Sequence, residues 1–242
     1  MNARPSGTPE DESSGVLLFY PERDGESGGG GCDKMLRRKQ AAGEETERIM
    51  SRKLAKHWIN AEEYERMGAA GIFPPDARLE LIEGDIFEMS PIGSPHAACV
   101  TYLTQVFHEL GRGFQVRVQN PVRLNDFSEP QPDIMLARWR ADFYRGAHPT
   151  PADVLLVVEV ADTTVVTDRT VKVPLYAAAG VAEVWLVNIP EERVEIYSDP
   201  AEGAYRLASQ HARGETAHSP TLAGLGVSVD ELFGQTSDEP GA

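Results

Sequence analysis

Cysteine is almost missing from this chain of 242 residues. Cys32 and Cys99 are too few for a disulfide framework, and neither has neighbours that suggest a zinc site. Long hydrophobic runs are missing as well. No apolar stretch approaches the roughly 20 residues of a membrane-spanning helix. The start of the chain is polar and acidic, so no secretory signal is expected, and the cytoplasm is the expected compartment. Basic residues are scarce: 23 Lys and Arg face 38 Asp and Glu, a net charge of -15. That deficit argues against a sequence-independent grip on nucleic acid through a broad basic surface. No internal repeat, Gly-rich phosphate loop, Ser nucleophile elbow or His-rich metal motif is found.

What is present is a globular composition, 41% hydrophobic and 25% charged, which excludes a wholly disordered, collagen-like or coiled-coil chain. The acidity is spread unevenly, but residues 51–198 still carry 21 acids against 14 bases. A phosphate-handling site would have to rely on local basic residues or on a metal. Residues 1–45, with the run Gly28–Gly31, read as a disordered acidic and Gly-rich tail. A domain is expected over 46–234, and 235–242 as a frayed end. A helix is read over Glu44–His57.

Patterning sharpens after Trp58. Asn60 with Glu63 has the spacing of a capping box, so a short helix is expected to end around Gly68 or Gly71. Leu79–Ile82 and Ile86–Met89 flank Glu83-Gly84-Asp85 and read as a β-hairpin. Ser94 as N-cap and Pro95 at N1 open a second helix. Its apolar face is Val100, Leu103, Val106, Phe107 and Leu110, and Gly111 stops it. Strands are expected at Val116–Gln119, Ile134–Ala137, Val154–Val160, Val184–Val187 and Val194–Tyr197, the last two as a terminal hairpin. Arg169–Ala179 has helical spacing, ends at Gly180, and carries Pro174 near its start. The order is that of a mixed α/β domain.

Asp133 begins one apolar strand and Glu159 lies near the end of the next. If the two pair antiparallel with Arg138 opposite Val154, Asp133 falls directly opposite Glu159, with Cβ atoms roughly 5 Å apart on one face. Two ionised carboxylates that close require a proton or a cation. A divalent ion is the simplest resolution, and Mg²⁺ takes one or two carboxylates plus waters and a substrate phosphate. Asp168, Lys172, Tyr176 and Gly180 recur every four residues, so Lys172 would aim its ammonium at the same strand edge. These are the parts for metal-assisted phosphodiester hydrolysis. Plainer alternatives stand beside this one. Asp133 starts a strand, Asp168 and Lys172 form an ordinary i,i+4 pair, His96 caps a helix, and Glu80 faces solvent. Glu159, inside an apolar run, is the hardest to explain without a partner.

Arg78-Leu79-Glu80-Leu81-Ile82-Glu83-Gly84, Ser90-Pro91, His96 and Pro130-Gln131-Pro132-Asp133-Ile134 together resemble the Uma-two family of nucleases. Glu159-Val160, Thr163, Asp168, Lys172, Tyr176, Gly180-Val181 and Val184-Trp185-Leu186-Val187 extend the resemblance over about 56–198. It implies a restriction-endonuclease-like PD-(D/E)XK fold, a central mixed β-sheet flanked by helices in a single domain. It also implies a Mg²⁺-dependent nuclease site, with Mn²⁺ able to substitute, and a nucleic-acid partner, DNA. On that pattern Asp133 and Glu159 match the metal ligands. Ala161 stands where the simple motif has Lys, and Lys172 matches variants whose lysine has moved into the next helix. Glu80, His96 and Gln131 match accessory positions, and Asn188 replaces the usual Asp. The expected activity is a Mg²⁺-dependent endodeoxyribonuclease, with a homodimer for double-strand cleavage. The competing expectations are a catalytically silent binding or assembly module and a purely structural metal.

Overall fold

The computed structural model describes residues 55–111 and 113–234. The expected tails at 1–45 and 235–242, Cys32, and most of the Glu44–His57 helix lie outside these residues. The chain divides between Lys56 and His57, and every element below belongs to the unit His57–Ala242.

Helix α1 (Ala61–Ala69) begins as expected: the Asn60 side chain accepts from Glu63 N–H at 2.9 Å, and Glu63 accepts from Asn60 N–H at 3.0 Å. Strands β1 (Leu79–Ile82) and β2 (Asp85–Glu88) form the hairpin, with Ile82 opposite Asp85. Its two turn residues both have positive φ, Glu83 at 49° and Gly84 at 80°, which matches the right-handed twist of a tight hairpin. Helix α2 (Ser94–Glu109) starts one residue earlier than the sequence suggested. Gly93 is its N-cap and no side chain caps it, so Ser94 is the first helical residue and Pro95 the second. Val100, Leu103 and Phe107 are buried as expected, whereas Leu110 is exposed beyond the helix end.

A six-stranded sheet follows, in the order β3-β4-β5-β6-β7-β8. Its strands are β3 (Phe114–Val118), β4 (Ile134–Arg138), β5 (Val154–Ala161), β6 (Glu183–Asn188), β7 (Arg193–Ala201) and β8 (Ala204–Ala212). Only β5 and β6 pair parallel; the other neighbours are antiparallel. A parallel pair needs a long crossover. Here it is helical throughout its middle: α3 (Val165–Thr167), a π-helical turn (Asp168–Lys172) and α4 (Val173–Ala179), closed by Gly180 at φ 80°. The sequence suggested a single α-helix from Arg169. Pro174 has no N–H and its ring crowds the carbonyl four residues earlier, and the widened π turn directly before it relieves that crowding.

The β6–β7 hairpin is not terminal. β8 continues the sheet, β9 (Thr216–His218) pairs with β10 (Gly226–Ser228), and α5 (Val229–Leu232) ends the described chain. Side chains alternate across the sheet. Ile134, Leu136, Leu156 and Val158 face α2, where Phe107 meets Trp185 edge-on at 6.5 Å. Met135, Ala137, Val157 and Val184 face Val173, Leu175 and Tyr176 of α4. By the same alternation Asp133 and Glu159 fall on the α4 side. Each fully buried Leu, Ile or Phe contributes roughly 1.5–3 kcal/mol, so the two layers fix the strand ends from which the site is built.

Candidate active site

β4 and β5 pair with Ile134 opposite Val158, Met135 opposite Val157 and Leu136 opposite Leu156. Continued by one residue, this register sets Asp133 opposite Glu159. The expected anchor is corrected, however. Val154 pairs with Ala137 rather than Arg138, because a bulge at Leu136/Ala137 passes over Leu155. The irregularity lies at the far end of the pair and leaves the acidic end in register.

The side chains confirm the closeness of the two strand ends. Asp133 Oδ2 accepts the backbone N–H of Val160, the residue after Glu159, at 2.9 Å. The same oxygen lies 3.0 Å from His96 Nε2 on α2, and Oδ1 accepts from Gln119 Nε2 at 3.3 Å. With Nε2 donating, His96 Nδ1 is left buried without a partner. His96 is therefore neither a helix cap nor a surface group. Glu159 is buried, and its Oε1 accepts the Tyr176 hydroxyl at 2.7 Å.

Lys172 enters from the π turn. Its Nζ lies 3.0 Å from Glu80, 3.5 Å from Glu159 and 3.9 Å from Asp168. All four groups are buried. Glu80 thus belongs to the site and does not face solvent, and Gln131 positions it by donating its backbone N–H at 3.3 Å. The Asp168–Lys172 contact is the longest of the three, so this lysine is more than half of an ordinary helix pair. Sequence reasoning missed Gln119 altogether and gave no account of the Tyr176 hydroxyl. Asn188, the last residue of β6, accepts from Glu191 N–H at 3.2 Å and donates to Glu195 at 3.4 Å, beside the Arg169–Glu195 ion pair.

Charge in this cluster is out of balance. Burial pushes the Glu159 carboxyl up to about 8; Lys172 opposes this, and Asp168, Asp133 and Glu80 add to it. Burial raises Asp168 too, against the pull of Lys172 and of the Thr164 hydroxyl. Burial alone would lower Lys172, but Glu159, Glu80 and Asp168 together hold it above its ordinary value. One ammonium cannot neutralise this many buried acids.

The cluster lines a pocket of about 390 Å³ whose wall includes Glu88, Asp162, Arg78 and the 89–93 segment. Two carboxylates with hard oxygen donors suit Mg²⁺, which completes its shell with waters and phosphate oxygens. A cation at the Asp133–Glu159 pair would take the place of the proton that burial makes Glu159 hold. Among the described residues, the group of three ligand-type side chains within 4.8 Å lies elsewhere, at Glu65, Glu129 and His148. Arg123 already bridges Glu65 and Glu129 there, so that cluster has its own counter-charge.

The family model for Uma2, described as "Putative restriction endonuclease", matches residues 61–230. The chain belongs to the Uma2 family. No curated protein matches it. Among solved structures it is similar to a "putative nuclease belonging to DUF820" from Anabaena variabilis ATCC 29413, at 18% identity and a TM-score of 0.56, covering 72% of this chain and 97% of that one. That likeness is one of fold: a restriction-endonuclease-like α/β architecture around a mixed sheet. The strands and the π turn that carry Asp133, Glu159 and Lys172 all fall inside the segment matched by the Uma2 model. Among the described residues no helix is long and apolar enough to cross a membrane.

Proposed function

We propose that this Uma2 member is a metal-dependent endonuclease that hydrolyses phosphodiester bonds of DNA. The observation that carries the reading is the meeting of Asp133, Glu159 and Lys172 at one end of the β4–β5 pair, inside a pocket. Asp133 and Glu159 would hold Mg²⁺, or Mn²⁺ in its place. Bound there, the ion would supply an activated water and charge neutralisation at the scissile phosphate. Lys172 faces the pocket with a permanent positive charge and stabilises charge developing on the phosphate oxygens. Glu80 and Asp168 are positioning residues that hold the lysine, and Tyr176 orients Glu159. His96 fixes the rotamer of Asp133 through Nε2, and Gln131 steadies Glu80. Ala161 removes the lysine of the simple motif from β5, and the π turn supplies one from the crossover instead.

Supercoiled plasmid incubated with the full chain in Mg²⁺, in Mn²⁺ and in EDTA is the test. Metal-dependent nicking or linearisation that is lost in Asp133→Ala, Glu159→Ala and Lys172→Ala, with each variant still folded by circular dichroism, is the expected result. Equal inactivity of the wild type and these variants on DNA and RNA would overturn it in favour of a silent binding module. Cutting both strands of a duplex calls for a second copy related by a two-fold axis, which sedimentation velocity with and without DNA would reveal.

A further inference from the structure

The end of the β4–β5 pair away from the pocket carries a surface of another kind. Strands rise about 3.3 Å per residue, so Trp139, just past β4, is roughly 20 Å along the strand from Asp133. There Trp139 is 55% exposed and Phe143 67% exposed. Residues 138–145 hold three arginines and one acid, Asp142, in a chain whose net charge is -15.

This surface is built rather than loose. Phe143 and Tyr144 are consecutive residues at φ 53° and 57°, a left-handed conformation that disfavours bulky side chains. Tyr144 anchors the turn: it is buried, and its hydroxyl donates to the Arg138 carbonyl at 2.7 Å. The guanidinium of Arg140 lies 4.5 Å from the centre of its ring and that of Arg117 lies 5.3 Å away. Asp142 holds Arg140 through contacts of 3.0 and 2.8 Å. The strained turn thus fixes Tyr144 inward and projects Phe143 outward. One donor group is left over: the exposed Arg145 side chain makes no hydrogen bond or ion pair among the described residues, whereas Arg117 is turned inward, donating to the Phe143 carbonyl and to Asn120.

We infer that Trp139, Phe143 and the arginines around them form a binding platform for single-stranded nucleic acid. Exposed rings offer stacking faces to unpaired bases, and the unpaired Arg145 guanidinium suits a phosphate beside them. A duplex keeps its bases stacked on one another and has no use for the rings. The choice of nucleic acid over other polyanions rests on the nuclease reading, but the platform is a separate site and its occupancy needs no metal.

The test is fluorescence anisotropy of a labelled 15-nucleotide single strand of mixed sequence with the full chain in EDTA. Binding that weakens with salt, quenches tryptophan emission, and exceeds that of the matching duplex is expected. Trp139→Ala and Phe143→Ala should each weaken it about tenfold, Trp139→Phe should retain most of it, and Arg145→Ala should reduce the salt dependence. No binding, equal binding of the duplex, or full affinity in the Trp139→Ala/Phe143→Ala double variant would each overturn the platform. So would a concentration-dependent dimer in sedimentation that the double variant abolishes while strand binding is unchanged. Strand binding without metal-dependent cleavage would refute the nuclease reading alone, and cleavage without strand binding would refute the platform alone.

Discussion

Lys172 brings its ammonium to 3.0 Å from Glu80, nearer than its 3.5 Å approach to Glu159. The residue that shares the lysine most closely is therefore an acid from the β1–β2 hairpin, not one of the two acids on the sheet. Hairpin, sheet and crossover are tied together at a single nitrogen.

Removing one partner of a buried ion pair typically costs about 3–5 kcal/mol, because the other charge is left uncompensated. Lys172 keeps Glu159 and Asp168 as partners when Glu80 is neutralised, so Glu80→Gln is expected to destabilise the fold by less than that, about 1–3 kcal/mol for the lost charged contact, and to lower cleavage. In a Lys172→Met background the same change should cost much less. Urea unfolding of the four members of this double-mutant cycle measures the coupling, and additive losses would contradict it.

Glu159 gives the metal-free protein a pH signature. Its carboxyl titrates near 4.5 when unperturbed and is pushed up to about 8 in the fold by burial, with Lys172 opposing and the neighbouring acids adding. The folded state then binds the proton more tightly than the unfolded chain between these values. Its contribution to stability is fully present below about 4.5 and is lost as pH rises toward about 8. Urea midpoints in EDTA should fall across that window, and Glu159→Gln should flatten the trend. Mn²⁺ competes with the same proton, so calorimetry should show its affinity rising up to pH of about 8 and levelling above.

Cys99 lies against α5, with Sγ 3.8 Å from the Leu232 carbonyl. Burial pushes its thiol up to about 11, only partly offset by a backbone hydrogen bond. In a Cys32→Ser variant at pH 8, a thiol-disulfide reagent should label the native chain only slowly and the urea-unfolded chain at once. Rapid labelling of the native chain would show that this corner of the core is open.

Gly84 is held at φ 80°, and a Cβ there would come within 3.0 Å of Trp58 Cβ and Cε3. Left-handed backbone costs a non-glycine residue roughly 1–2 kcal/mol, and the clash adds to it. Gly84→Ala should destabilise the fold by about 2 kcal/mol or more in urea unfolding. A loss under 0.5 kcal/mol would mean that Trp58 yields.

Much of the site was legible because apolar runs betray strands. Ile134–Ala137 and Val154–Val160 could be aligned head to tail, and that alignment set Asp133 against Glu159. The alignment was anchored one residue off at Val154, since nothing in Leu155 announces a bulge. β8 has no strand signal in the sequence, because nearly all its side chains are exposed and its apolar and polar positions do not alternate. Glu80 remained ambiguous for a related reason. A lone acid in a short strand reads the same whether it meets water or a buried lysine, and only the crossover, distant in sequence, decides between them. The π turn follows from Pro174, whose presence was visible and whose remedy was not.

The bulge at Leu155 also bears on how such a chain can change over evolutionary time. It acts as an expansion joint between the 139–150 loop and the acidic end of the strands. A one-residue difference in strand length is taken up there, so the β4–β5 pair keeps Ile134 opposite Val158 beside the chemical centre whatever the register at its loop end.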